Sequence, residues 1–213
     1  MGMRGHLRKL APAQLAQLHR NPEKVAEFVH GKVHADPAKM MAVLQRTQEI
    51  ALNARAAGVL NDPAEKDRVR AQILKELAGV GVNIGVVDSS NEDGLNLEKS
   101  WHVLHYLLTG KAEEANPPLG NAILGGKEIG EDLGYGPARF LTPQQVHEVA
   151  TALEAISKDD LSARFDLKAM MAARIYPCKD DSELELAQDY FEQLLRYYAD
   201  AAANGNAMLL WVV

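Results

Sequence analysis

The chain opens on an alternation. In "MGMRGHLR" Met1, Met3, Gly5 and Leu7 share one parity and Gly2, Arg4, His6 and Arg8 the other, the period of a half-buried strand that starts at the first residue. A helical period takes over afterwards. Asn21-Pro22, Asp36-Pro37, Asp62-Pro63 and Thr142-Pro143 each set a capping oxygen before a proline whose φ already suits a first helical turn. Pattern and punctuation predict helices over 12–19, 22–30, 37–57 and 63–78, with Gly58 and Gly79 as stops. "GVGVNIGVVD" (79–88) is apolar and β-branched and reads as a short strand or buried loop, and "SSNEDG" after it reads as a turn.

In the second half, Leu97, Trp101, Leu104 and Leu108 form one helical stripe that Gly110 ends. "ARFL" (138–141) predicts a short strand, and helices are expected over 143–156 and 159–172. From Ser182 the stripe Leu186, Tyr190, Leu194, Tyr197 and Ala201 marks a long helix that stops at Asn204-Gly205. "AMLLWVV" is apolar at every position, as suits a central strand covered on both faces. The fold class expected is α+β: a small mixed sheet that includes the N- and C-terminal strands, packed with several helices.

Composition narrows the functions. At 213 residues with 47% hydrophobic and 24% charged positions, the chain suits one domain with a substantial core. A net charge of −6 argues against a nucleic-acid partner, and the short basic group Arg4, His6, Arg8 and Lys9 has no aromatic platform beside it. Cys178 is the single cysteine, which excludes an intrachain disulfide and thiol-rich metal sites. No apolar run is long enough to span a membrane and the N-terminus has no signal-peptide core, so the expected setting is cytoplasmic with no membrane partner.

Chemistry concentrates around a glycine-rich stretch, which holds six of sixteen glycines between Gly120 and Gly136. A phosphate loop fails there on spacing, and Glu128 stands where the Ser/Thr should be. "GVGVNIG" fails as a dinucleotide fingerprint, and "SSNEDG" lacks the terminal carboxylates of a calcium loop. His102 and His105 lie three apart with Glu98 four before His102, yet H-E-x-x-H is absent, so neither a metal nor a cofactor is expected. Two readings of the remaining polar groups stand side by side. In the functional one, His105 works as an acid–base group with Glu131 or Asp132, while Trp101, Gly134, Tyr135, Gly136 and Arg139 bind. In the structural one, His105 bonds a backbone carbonyl at the core edge and Arg139 bridges Asp132 across an irregular loop.

"MGMRG", "LEKSWHVLHYLLTG" (97–110), "PLGNAILGGKEIGEDLGYGPARFLTPQQV" (118–146), "ARFD" with "IYP" (175–177) and "GNAMLLWVV" resemble the YfbM-like proteins, domain of unknown function family 1877. The resemblance implies an α+β cytoplasmic bacterial domain with no assigned reaction and no catalytic residues to carry over. Within its pattern W-x-x-L-H-x-L-L-T-G the histidine is His105. Residues 31–88 exceed the link expected in that family, so the paired helices there are expected to be an insertion into a single domain over 1–213. The leading function is a binding module for a small polar ligand or a protein partner, an immunity or antitoxin protein being one specific form. The competing class is a small hydrolase or group transferase using His105 with Glu131 or Asp132.

Overall fold

A computed structural model describes residues 2–30, 37–56, 65–66, 68–69, 71–73 and 94–213. The apolar C-terminal run forms β5 (Ala207–Val212), which lies between two other strands and has its backbone paired on both sides. One neighbour is β1 (Gly5–Leu10), antiparallel, with Leu7 opposite Leu210 and Leu10 opposite Ala207. The other is β4 (Pro137–Leu141), with Leu141 opposite Met208. The short β2 (Gly94–Asn96) pairs with β1, and β3 (Lys127–Asp132) pairs with β4. The order is therefore β2-β1-β5-β4-β3. The α+β class with both chain ends in one sheet is as expected. Among the described residues every pairing is antiparallel, however, where a mixed sheet was expected.

Alternation along the strands gives the sheet two apolar faces. Leu7, Leu141, Met208 and Leu210 enter the main core. That core is built with α4 (Trp101–Thr109), α5 (Pro143–Glu154), α6 (Lys158–Arg164), α7 (Leu167–Ala172) and α8 (Ser182–Ala203). Leu10, Phe140 and Leu209 take the other parity and are equally buried. There α1 (Pro12–Arg20) brings the His19 ring edge-on to Phe140 at 4.5 Å. α2 (Val25–His30) follows a single 3-10 turn at Pro22–Lys24, where one continuous helix over 22–30 was expected.

Local chemistry sets the helix ends. Thr142 accepts the Gln145 N–H at 3.3 Å while Gln145 accepts the Thr142 N–H at 2.9 Å, a reciprocal cap for α5. The helix expected over 159–172 is two helices, because Asp166 caps α7 through the Ala169 N–H and breaks the run after Arg164. Arg164 itself turns back and donates to the Leu107 carbonyl at 3.1 Å, satisfying a free acceptor in the last turn of α4. Tyr198 is fully buried on α8 and donates to the Ala122 carbonyl at 3.1 Å; burial pushes its phenol far above the usual range.

Contacts divide the chain into two compact units, residues 1–26 with 89–213 and residues 27–88. The second contains α3 (Pro37–Ala56), close to the helix expected over 37–57. Most of the helix expected over 63–78, all of 79–88, and the caps Asp36 and Asp62 lie outside the described residues.

Removing Ala207–Val213 should abolish cooperative unfolding. Met208, Leu209 and Leu210 are essentially without exposure and Trp211 nearly so. At about 25 cal/mol per Å2, losing their burial and two strand ladders outweighs a net stability of about 5–15 kcal/mol. Thermal and urea melts of the truncated chain check this; an unchanged transition would overturn the central placement of β5.

Candidate functional site

The residues expected to converge do so only in part. His105 has no exposed surface, and its Nε2–H donates to the Glu113 carbonyl at 2.7 Å. Glu131, Asp132 and Tyr135 are exposed on the β3–β4 hairpin. The expected juxtaposition of His105 with these acids is thus corrected: the imidazole faces inward and is tied to the loop after its own helix. Asp132 Oδ1 accepts the N–H groups of Gly134 at 2.6 Å and Gly136 at 3.1 Å. Both glycines have positive φ, so this trio closes a tight hairpin turn. Arg139 does not bridge Asp132. It pairs with Glu114 at 2.5 Å and Glu128 at 3.1 Å and donates to the Leu124 carbonyl at 3.0 Å, strapping two loops to β3. Trp101 is nearly buried, donates to the Met3 carbonyl at 3.4 Å and stacks on His102 at 4.7 Å.

His102 joins two segments of the first unit. Its Nδ1 accepts the Tyr176 N–H at 3.0 Å, so its Nε2 carries the proton and donates to the Ala112 carbonyl at 2.8 Å. Both ring nitrogens of His102 are thereby committed to backbone. Among the described residues no three potential ligands gather as a metal site.

A different constellation lies just before α4. Glu98 has φ +47, a left-handed conformation that non-glycine residues adopt at a cost. Its N–H donates to Asn96 Oδ1 at 2.8 Å, and Asn96 Nδ2 donates back to Glu98 Oε1 at 2.7 Å. The other carboxylate oxygen meets Arg4 Nε at 2.9 Å. This closed ring holds Glu98 in place beside a cleft of about 340 Å3 that Lys99 and Ser100 also line. The facing wall is Tyr176, Pro177, Lys179, Glu183 and Leu186. Ser100 is 1% exposed and its hydroxyl has no hydrogen-bond partner. Burial, then the nearby Asp180 carboxylate, pushes the Glu183 carboxyl above its usual range. Burial and the Glu98 charge push the Tyr190 phenol up.

Sequence reasoning weighed Glu98 only as a metal ligand and passed over Ser100, Tyr176, Lys179 and Glu183. Asn-x-Glu before a helix start was the one available signal, since an Asn side chain that caps its own loop marks a fixed turn. A second cleft, about 310 Å3, lies along Thr109–Leu119 with Lys111, Glu114 and Asn116 in its wall.

The fold and this cleft define an α+β domain with a central C-terminal strand and a polar site where the Trp101 helix begins. The family described as Domain of unknown function (DUF1877) matches residues 1–211, and the chain belongs to that family. It is also similar to a solved structure, that of YfbM from Escherichia coli, a protein of unknown function. The TM-score is 0.56 at 19% identity over 99% of each chain, a likeness of fold. No curated protein matches the chain.

Burial holds both His102 and His105 below the ordinary imidazole value. The unfolded chain therefore binds more protons once pH falls below about 6.5. The stability tied to these neutral rings is complete above that pH and is lost as pH drops through the lower folded values. Urea unfolding between pH 8 and 5.5 should show this decline, with a shallower slope in His102→Gln. A profile that is flat, or whose slope His102→Gln leaves unchanged, would contradict the assignment.

Proposed function

We propose that the protein is a binding module that holds a small polar ligand in the cleft between Glu98–Ser100 and Tyr176–Leu186. The observation that carries this reading is Glu98, held in a costly backbone conformation by Asn96 and Arg4 on a cleft that Lys99, Tyr176, Lys179 and Glu183 also line. Strained backbone gathers at functional sites. The cleft is near the lower end of small-molecule sites, about 300–1,000 Å3, and mixes apolar wall with a few polar groups. A hydrolase or transferase using His105 with Glu131 or Asp132 draws no support from this geometry. Nor does an immunity-type or other protein partner: the exposed large apolar side chains of the first unit, Tyr135, Met171 and Leu186, come from three separate elements.

A mixture of small polar fragments, titrated into the 15N-labelled protein, should shift the amides of 98–100 and 176–186. Leu186→Trp, which fills the cleft from an exposed position, should remove those shifts and leave the melting transition in place. Shifts confined to the Thr109–Leu119 cleft, or none at all, would overturn the reading.

On this reading residues 31–88 are an insertion into the one domain. Replacing 36–88 by a short Gly/Ser linker should leave cooperative unfolding and the same fragment shifts. Loss of the unfolding transition would count against the insertion.

A further inference from the structure

We infer that the ligand is amphoteric, carrying an ammonium and a carboxylate or phosphate within a few bonds of each other, as a free amino acid does. This rests on the cleft reading above and turns on which of the lining charges are already satisfied. Glu98 is satisfied: both of its oxygens are engaged, by Arg4 and by Asn96. Among the described residues Lys99, Lys179 and Glu183 make no salt bridge, and Glu183 feels the Lys179 charge without pairing with it. The cleft thus presents two ammonium groups together with one half-buried carboxyl.

Each simpler ligand leaves one of these unmatched. A plain anion suits the lysines but is brought against Glu183. A plain cation suits Glu183 but faces Lys99 and Lys179. A neutral sugar takes charge from neither side. A zwitterion sets its anionic end towards the lysines and its ammonium towards Glu183, matching both signs of charge at once. The Glu183 carboxyl is protonated more readily than an ordinary glutamate because of burial, and an arriving ammonium restores its ionised form. Leu186, 45% exposed at the rim, offers apolar surface for whatever separates the two charges from the rest of the ligand.

The test uses the full chain and four probes followed by amide shifts and calorimetry: L-leucine, its cation-only amide, anion-only N-acetyl-leucine, and inorganic phosphate. Leucine should bind about tenfold or more tightly than either singly charged analogue, the worth of one charge-assisted hydrogen bond. Glu183→Gln should remove that advantage without weakening N-acetyl-leucine, and Lys179→Ala should weaken N-acetyl-leucine and leucine but not the amide. If phosphate or N-acetyl-leucine shifts 98–100 and 176–186 at concentrations as low as leucine does, the amphoteric inference falls and the cleft reading stands. The same holds if the amide matches leucine. If no probe shifts those residues, the inference falls, and the fragment mixture decides the cleft reading separately. Should Glu183→Gln fail to fold, the comparison of the four probes on the unaltered chain decides alone.

Discussion

Strand β1 and the start of α4 meet with no side chain between them. At Gly5 a Cβ atom would stand 2.5 Å from Trp101 Cβ and 2.9 Å from its Cγ, closer than carbon atoms pack. Only the missing side chain lets the Trp101 ring lie on the strand backbone. Two hydrogen bonds fix the arrangement: Leu97 N–H to the Gly5 carbonyl at 2.8 Å, and Trp101 Nε1 to the Met3 carbonyl at 3.4 Å. Everything proposed for the cleft follows from this contact. It sets residues 98–100 beside the N-terminal segment, so that Arg4 reaches Glu98. Gly2 plays a similar part, since a Cβ there would run into the Tyr176 hydroxyl and the Lys99 stem.

The second support for the cleft comes from α4 itself. His102 holds the Tyr176 backbone on one side and the Ala112 carbonyl on the other. The wall carrying Tyr176 is therefore tied to the same helix that the opposing wall, Glu98–Ser100, leads into. A rigid frame with a few open polar groups is what a pre-formed site requires, because little ordering remains to be done on binding.

Much of the fold was legible because it rests on period and punctuation. The uninterrupted apolar run at 207–212 reads as a central strand, and the stripe from Leu186 to Ala201 as one long helix. The strand β3 was not legible. "KEIGED" buries Ile129 alone, runs along the sheet edge and carries an irregularity in register between Ile129 and Asp132. β2 has three residues, too few for a period. The site was harder still. The glycine-rich stretch drew attention, yet its freedom goes into the chain's own turns: Gly134 and Gly136 close a hairpin, and Gly120 lies against the Ala115 backbone. The cleft instead joins Glu98–Ser100 to Tyr176–Leu186, segments more than seventy-five residues apart whose meeting is a product of tertiary packing. No local pattern encodes that meeting.

The contact between Gly5 and Trp101 is tested most directly by the sign of one stability change. Gly5 has no positive φ, so alanine suits its backbone, and in a strand that exchange ordinarily adds about 0.5–1 kcal/mol by restricting the unfolded chain. Here the added methyl meets Trp101, and overpacking of this kind costs about 1–3 kcal/mol. Urea unfolding of Gly5→Ala should therefore show a net loss of stability, together with altered amide signals at 98–100. A variant as stable as the parent or more so, with those signals in place, would show that the close approach is not what holds the cleft together.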